Sequence, residues 1–232
     1  MPPVTQALIV VNVAVFLLQM ATDLPLIEWF ALWPVSSGLE AGPGFEPWQL
    51  ISYSFLHGGV AHILFNMFAL YMFGGEIERL FGSRFYLAYY FACVLSAAVT
   101  HLVVTGWMGG TPYPTVGASG GIYGLLLAFG LYFPDRRVIL LFPPIPMSAR
   151  TFVFGFAALE LFFGYFPDRR VILLFPPIPM SARTFVFGFA ALELFFGITG
   201  TAAGIAHFAH LGGMLGGWLL IQYRRGRFPF KR

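Results

Sequence analysis

Residues 117–133 read GASGGIYGLLLAFGLYF, a stretch without a single charged side chain. Glycines recur in it at four-residue spacing, Gly117 with Gly121 and Gly120 with Gly124. An apolar run of this length predicts a helix, and small residues four apart lie on one face of it, where they let a second backbone come close. A matching run, AHFAHLGGMLGGWLLIQY over 206–223, carries Gly212, Gly213, Gly216 and Gly217. Two glycine-faced apolar helices are expected to pack against each other, and the solvent that suits both is a lipid bilayer.

The rest of the chain has the same character. Of 232 residues, 58% are hydrophobic and 10% charged, with 28 phenylalanines and a mean hydropathy of +0.78. Soluble domains carry roughly 25% charged residues because their surface must prefer water. This composition excludes a separate soluble domain, an extended disordered region and a nucleic-acid-binding role. The single cysteine, Cys93, sits in an apolar run, so no disulfide framework is possible.

Candidate spans fall at 6–22, 49–74, 84–106, 117–133, 151–166, 184–199 and 201–222, and the first reads as uncleaved. The loop from Asp23 to Pro47 holds Asp23, Glu28, Glu40 and Glu46 and no Lys or Arg. Basic residues gather at Arg79 and Arg84, at Arg136, Arg137 and Arg150, and from Arg224 to Arg232. Lys and Arg mark the cytoplasmic side of short loops. The N-terminus, the 75–84 turn, the loop after 133 and the basic tail are therefore expected inside, which demands an even number of spans. The tail is read as an anchor on anionic lipid, Glu78 and Arg79 as a helix-end pair at the inner face, and Trp29, Trp33, Trp48 and Trp107 as an outer aromatic belt.

A direct repeat complicates this count. Residues 132–164, YFPDRRVILLFPPIPMSARTFVFGFAALELFFG, recur unchanged as 165–197. Two identical copies do not make a solenoid, whose repeats diverge and stack in larger numbers. If both copies span, the total is seven and the basic tail lands outside. One copy is expected to stay out of the bundle. The segment 151–166 is short, about 24 Å as a helix, and the second copy, which runs on into the last span, is expected to take the native place.

Polar residues inside apolar helices mark function. HGGVAHILFN places His57, His62 and Asn66 together, with His62 and Asn66 on one helix face. Ser119 opens the glycine-rich helix, with Tyr123 one turn on, and His207 and His210 open the last one. If the glycine faces meet, a serine hydroxyl and an imidazole come within reach, and a histidine is the usual activator of a serine nucleophile. The oxyanion that forms needs donors, which His62, Asn66 and the Ser119 backbone N–H could supply. No acid flanks either candidate base, so a dyad is expected rather than a triad, with Tyr123 packed on the imidazole.

In chain order, HGGVAHILFN, GGEIERLFG, GASGGIYG and AHLGG closely resemble the motifs of the rhomboid intramembrane serine proteases. The resemblance covers nearly the whole chain apart from one copy of the repeat. It implies an all-α membrane protein, a six-helix transmembrane bundle formed as a single domain over 1–232, with one extra copied loop-helix segment. It implies Ser119 and His210 as the catalytic dyad and His62 with Asn66 as the oxyanion pocket. His57 and Gly117 are supporting positions, and the 23–47 loop matches the family's membrane-embedded first loop. It further implies cleavage of transmembrane-helix protein substrates at small residues near the extracytoplasmic face, in contact with membrane lipids, without metal or cofactor. The expected location is the bacterial inner membrane with both termini cytoplasmic.

Three other readings compete. A metal site would draw on His57, His62, His207 and His210, but no carboxylate or cysteine ligand stands beside them and there is no HExxH. A transporter would use Glu160 and Glu193, one in each copy, yet a direct copy of one loop and helix is not the inverted repeat such proteins are built from. The third is a catalytically inactive membrane-protein binder of the same fold. The duplication motivates it, because it moves Ser119 and His210 from 58 residues apart to 91.

Overall fold

The computed structural model describes residues 1–35, 43–107, 113–134, 137–138, 180–199 and 206–227. The protein is mainly helical and divides into two compact units, residues 1–128 with 208–232, and residues 129–207. In chain order the elements are α1 (Pro3–Ala21), α2 (Leu26–Phe30), α3 (Gln49–Ser52), α4 (Val60–Ala69), α5 (Gly75–Phe81), α6 (Ser83–Trp107), α7 (Ser119–Tyr132), β1 (Arg137–Val138), β2 (Met180–Ser181), α8 (Ala182–Thr199) and α9 (His207–Arg224). The segment expected to stay outside the bundle, 151–166, lies outside the described residues, as do Glu40, Glu160, Arg136, Arg150 and the end of the basic tail.

Among the described residues, three helical stretches are long and apolar enough to cross a membrane: Pro3–Ala21, Val60–Phe81 and Ser83–Trp107. On α1 the buried residues are Thr5, Leu8, Asn12 and Phe16, one stripe at helical spacing. Val10, Val11, Leu17, Leu18 and Met20 face outward, which is stable only where the surrounding medium is as apolar as they are. The protein is integral to the membrane.

The second span differs from the expected 49–74. Residues 49–55 form α3 and a short 3-10 turn, and His57, Gly58 and Gly59 break the chain before α4 begins. The helical path then continues through one wide turn at Leu70–Gly74 into α5. The 75–84 stretch, expected as a turn, is helical to Phe81, and the reversal is made by Gly82 at φ 76°, a conformation that favours glycine.

Glu78 and Arg79, expected as a pair, separate. Arg79 bonds Glu76 at 3.0 Å on the surface. The buried Glu78 carboxylate accepts the backbone N–H groups of Val4 (3.0 Å) and Thr5 (2.7 Å) and the hydroxyls of Thr5 (2.8 Å) and Ser83 (2.7 Å). The first turn of a helix exposes unpaired N–H donors and a positive dipole end, and here a carboxylate from another helix meets them. Glu78→Ala strands these donors and is expected to cost about 2–3 kcal/mol. A thermal unfolding midpoint in detergent reads this as a clear fall, with Glu78→Gln in between. Arg224, the first residue of the basic tail, lies over the Phe85 ring at 4.2 Å.

In the first unit α7 is central, with Gly120 to Ala128 buried except at Tyr123. The glycines of α9 meet two neighbours. A Cβ at Gly213 would collide with the Gly120 carbonyl of α7, while Gly212 and Gly216 face Thr100 and Ser96 of α6. Glycine is required where backbones come this close.

In the second unit β1 and β2 pair antiparallel, Arg137 with Ser181 and Val138 with Met180. Ser181 caps α8, its hydroxyl accepting the Thr184 N–H at 3.1 Å. β1 belongs to the first copy of the repeat, whereas β2 and α8 belong to the second. The pairing thus joins the first part of one copy to the middle of the other, the two positions a single copy would bring together. Deleting residues 139–171 leaves one uninterrupted copy. The shortened protein is expected to keep its unfolding midpoint within a few degrees, because a closed loop adds only about 0.6 kcal/mol of entropy per doubling of length.

Candidate active site

Ser119 is the first residue of α7, and His210 lies one turn into α9. Their side chains meet, His210 Nε2 to Ser119 Oγ at 2.8 Å across 91 residues of sequence. The Gly213–Gly120 contact sits one residue past the serine and three past the histidine, so the backbone approach it permits sets this distance. Tyr123, one turn along α7, stacks on the imidazole with centroids 4.1 Å apart and planes 5° from parallel. The ring is held flat and cannot rotate away from the hydroxyl without losing that contact.

His62 and Asn66 stand on α4. The Gly58 N–H donates to His62 Nδ1 at 3.2 Å, which leaves the proton of a neutral imidazole on Nε2. That nitrogen points at Gly117: a Cβ there would lie 2.8 Å from His62 Nε2 and 3.8 Å from Ser119 Oγ. Gly117 is therefore glycine twice over, for its φ of 122° and for the space the imidazole takes. The Asn66 amide donates one N–H to the His62 carbonyl at 2.8 Å and retains a second. The His62 imidazole, the Ser119 hydroxyl and the His210 imidazole are thus gathered around the turn that begins α7, with Asn66 one turn along α4 from His62.

His57 is buried beside this group, edge-on to His62 at 5.1 Å and to Phe16 at 6.4 Å. Its backbone is fixed by Gln19, which accepts from the His57 N–H at 3.1 Å and donates to its carbonyl at 3.3 Å. In the second unit His207 Nδ1 and Glu193 Oε2 meet at 2.6 Å, both buried. The buried carboxylate thus has the polar partner its burial requires. Of the expected aromatic belt, Trp29, Trp48 and Trp107 are exposed, but Trp33 is buried and donates its indole N–H to the Ile27 and Glu28 carbonyls.

Three groups near the site were not anticipated from sequence: Gln19, His101 and Thr115. His101 Nε2 and Thr115 Oγ1 are 2.8 Å apart, and Thr115 pairs through its backbone with Leu32, N–H to carbonyl in both directions at 2.9 and 3.0 Å. A lone polar residue in an apolar span was the available signal for Gln19 and His101.

A serine and a histidine in contact between two glycine-faced helices of a membrane protein define a recognisable class. The family model described as Rhomboid domain matches residues 44–173, more than half of the chain, and the chain belongs to the rhomboid family. Ser119 lies inside the matched stretch and His210 beyond it. Rhomboid protease GlpG of Klebsiella pneumoniae subsp. pneumoniae is 33% identical over 126 residues, 53% of this chain and 41% of the relative. Rhomboid protease GluP of Bacillus subtilis is 38% identical over 97 residues, 41% of this chain and 18% of the relative. Rhomboid protease GlpG of Yersinia pestis is 28% identical over 129 residues. The chain spans about two fifths or less of the length of these relatives.

Proposed function

We propose that the protein is an intramembrane serine endopeptidase that cleaves transmembrane helices of other membrane proteins. The observation that carries this is the 2.8 Å contact between Ser119 Oγ and His210 Nε2. His210 takes the Ser119 proton as Oγ attacks the scissile carbonyl carbon. The tetrahedral oxyanion receives hydrogen bonds from His62 Nε2–H, the free Asn66 N–H and the Ser119 backbone N–H. As the C–N bond breaks, the imidazolium gives its proton to the leaving amine, and an acyl-serine remains. Water attacks this ester with His210 again as base, which frees the carboxyl product and restores the serine. The protons in this cycle pass only between Ser119, His210, substrate and water.

A bilayer supplies few waters and no partner for an unsatisfied amide. A substrate helix must therefore unwind locally before Oγ can reach its carbonyl, which favours helices with small residues and weak turns. We propose a six-span bundle in a bacterial inner membrane, with both termini cytoplasmic and the second copy of the repeat, through α8, as the fifth span. The GlpG and GluP names and the family membership support the protease reading, and the dyad contact argues against the inactive binder. The test is cleavage of a transmembrane reporter in liposomes and its loss in Ser119→Ala.

A further inference from the structure

Of the five histidines in the chain, His101 and His207 lie outside the family motifs and the proposed cycle; His207 is paired with Glu193, which leaves His101 to be accounted for. It sits on α6 inside a membrane-crossing stretch, where a polar side chain is costly to keep. Nε2 is spent on Thr115 Oγ1 at 2.8 Å. Nδ1 is buried and meets no partner among the described residues. Whichever of the imidazole and the hydroxyl is the donor, one ring nitrogen stays unsatisfied, so the pair is retained against a standing cost.

What this pair holds is the approach to Ser119. Residues 115–118 run without regular structure into the first turn of α7, and an irregular segment needs outside contacts to keep one conformation. Thr115 is tied through its backbone to Leu32, and the Gly117 N–H donates to the Tyr53 carbonyl at 3.0 Å. These contacts fix the backbone from the loop side and from the 3-10 turn that follows α3. His101 adds the side-chain contact from α6, the helix that also faces Gly212 and Gly216 of α9. The segment ends on Gly117, beside His62 Nε2, and on the Ser119 N–H, two parts of the proposed oxyanion pocket.

We propose that His101 is a positioning residue: through Thr115 it sets the 115–118 turn so that the Ser119 N–H and His62 converge on the oxyanion. This rests on the protease reading above. A turn held loosely misplaces a donor that acts mainly in the transition state, so the loss falls on kcat and spares KM.

The experiment compares the full chain with His101→Ala, His101→Gln, Thr115→Val and the His101→Ala/Thr115→Val double variant on one reporter helix in liposomes, beside Ser119→Ala. Each single removal is expected to lower kcat about tenfold with KM within about twofold. The double variant is expected to match the singles, because both cut one link. Gln can reach Thr115 with an amide, and His101→Gln is expected to recover most of the rate. Parental kcat in His101→Ala, multiplying losses in the double variant, or no recovery with Gln at equal unfolding midpoints overturns the positioning role alone. If the parent shows no Ser119-dependent cleavage, the protease reading falls and the positioning role falls with it.

Discussion

Ser119→Ala is expected to reduce cleavage of a transmembrane reporter by at least about 10⁴-fold, to the level of the uncatalysed background. The size follows from what is removed. Without Oγ there is no atom to form the acyl intermediate, and His210 has no hydroxyl to deprotonate. His62 and Asn66 remain, but donors alone stabilise a charge that no longer develops. The substitution deletes one oxygen in a partly buried site, and the 2.8 Å contact it breaks is a single hydrogen bond, so the unfolding midpoint is expected to move little. A fluorophosphonate probe separates mechanism from folding: it labels the parent at Ser119, fails on Ser119→Ala, and reacts far more slowly with His210→Ala. Full cleavage by folded Ser119→Ala would falsify the serine mechanism.

Much of this site was legible in the sequence because each part leaves a local mark. Glycines four apart announce a close helix contact, and a polar residue in an apolar run announces a role. Ser119, Tyr123, His62, Asn66, Gly117 and His210 all stood out on those grounds, and the structure sets Ser119, Tyr123, His210, His62 and Gly117 beside one another at the start of α7. What sequence hid was long-range pairing. Glu78 and Arg79 read as partners because opposite charges adjacent in sequence invite pairing, yet Glu78 satisfies donors more than 70 residues away. Trp33 read as an interfacial residue and is buried by its indole hydrogen bonds. His101 carried no motif, and its partner Thr115 lies in a loop, so no helical periodicity linked them. The repeat was visible to the residue, but its accommodation was not. Two identical copies give composition and periodicity no basis for choosing between them, and the β1–β2 pairing, which draws one strand from each, has no sequence signature at two residues per strand.

The second large effect belongs to a residue with no side chain. Gly213→Val is expected to lower kcat about 10²-fold or more while Ser119 and His210 are untouched. At Gly213 a Cβ would run into the carbonyl of Gly120, which is backbone and cannot turn aside as a flexible side chain would. The helices must separate by more than an ångström to admit it, and a serine–histidine contact at 2.8 Å does not survive that. Valine adds two methyls beyond the Cβ, so relaxation of α9 alone does not absorb the change. A second glycine of α7, away from the dyad, gives the control. At Gly130, farther down α7, a Cβ meets the Val186 side chain at 2.9 Å and the Ala182 carbonyl at 3.3 Å, both on α8 and neither on the helix that carries His210. Gly130→Ala is expected to shift the unfolding midpoint modestly and leave fluorophosphonate labelling near parental, whereas Gly213→Val loses labelling even where the folded protein is recovered. Equal labelling of the two variants would mean that the Gly213–Gly120 approach does not set the dyad distance, and that the serine and histidine are held together from elsewhere in the first unit.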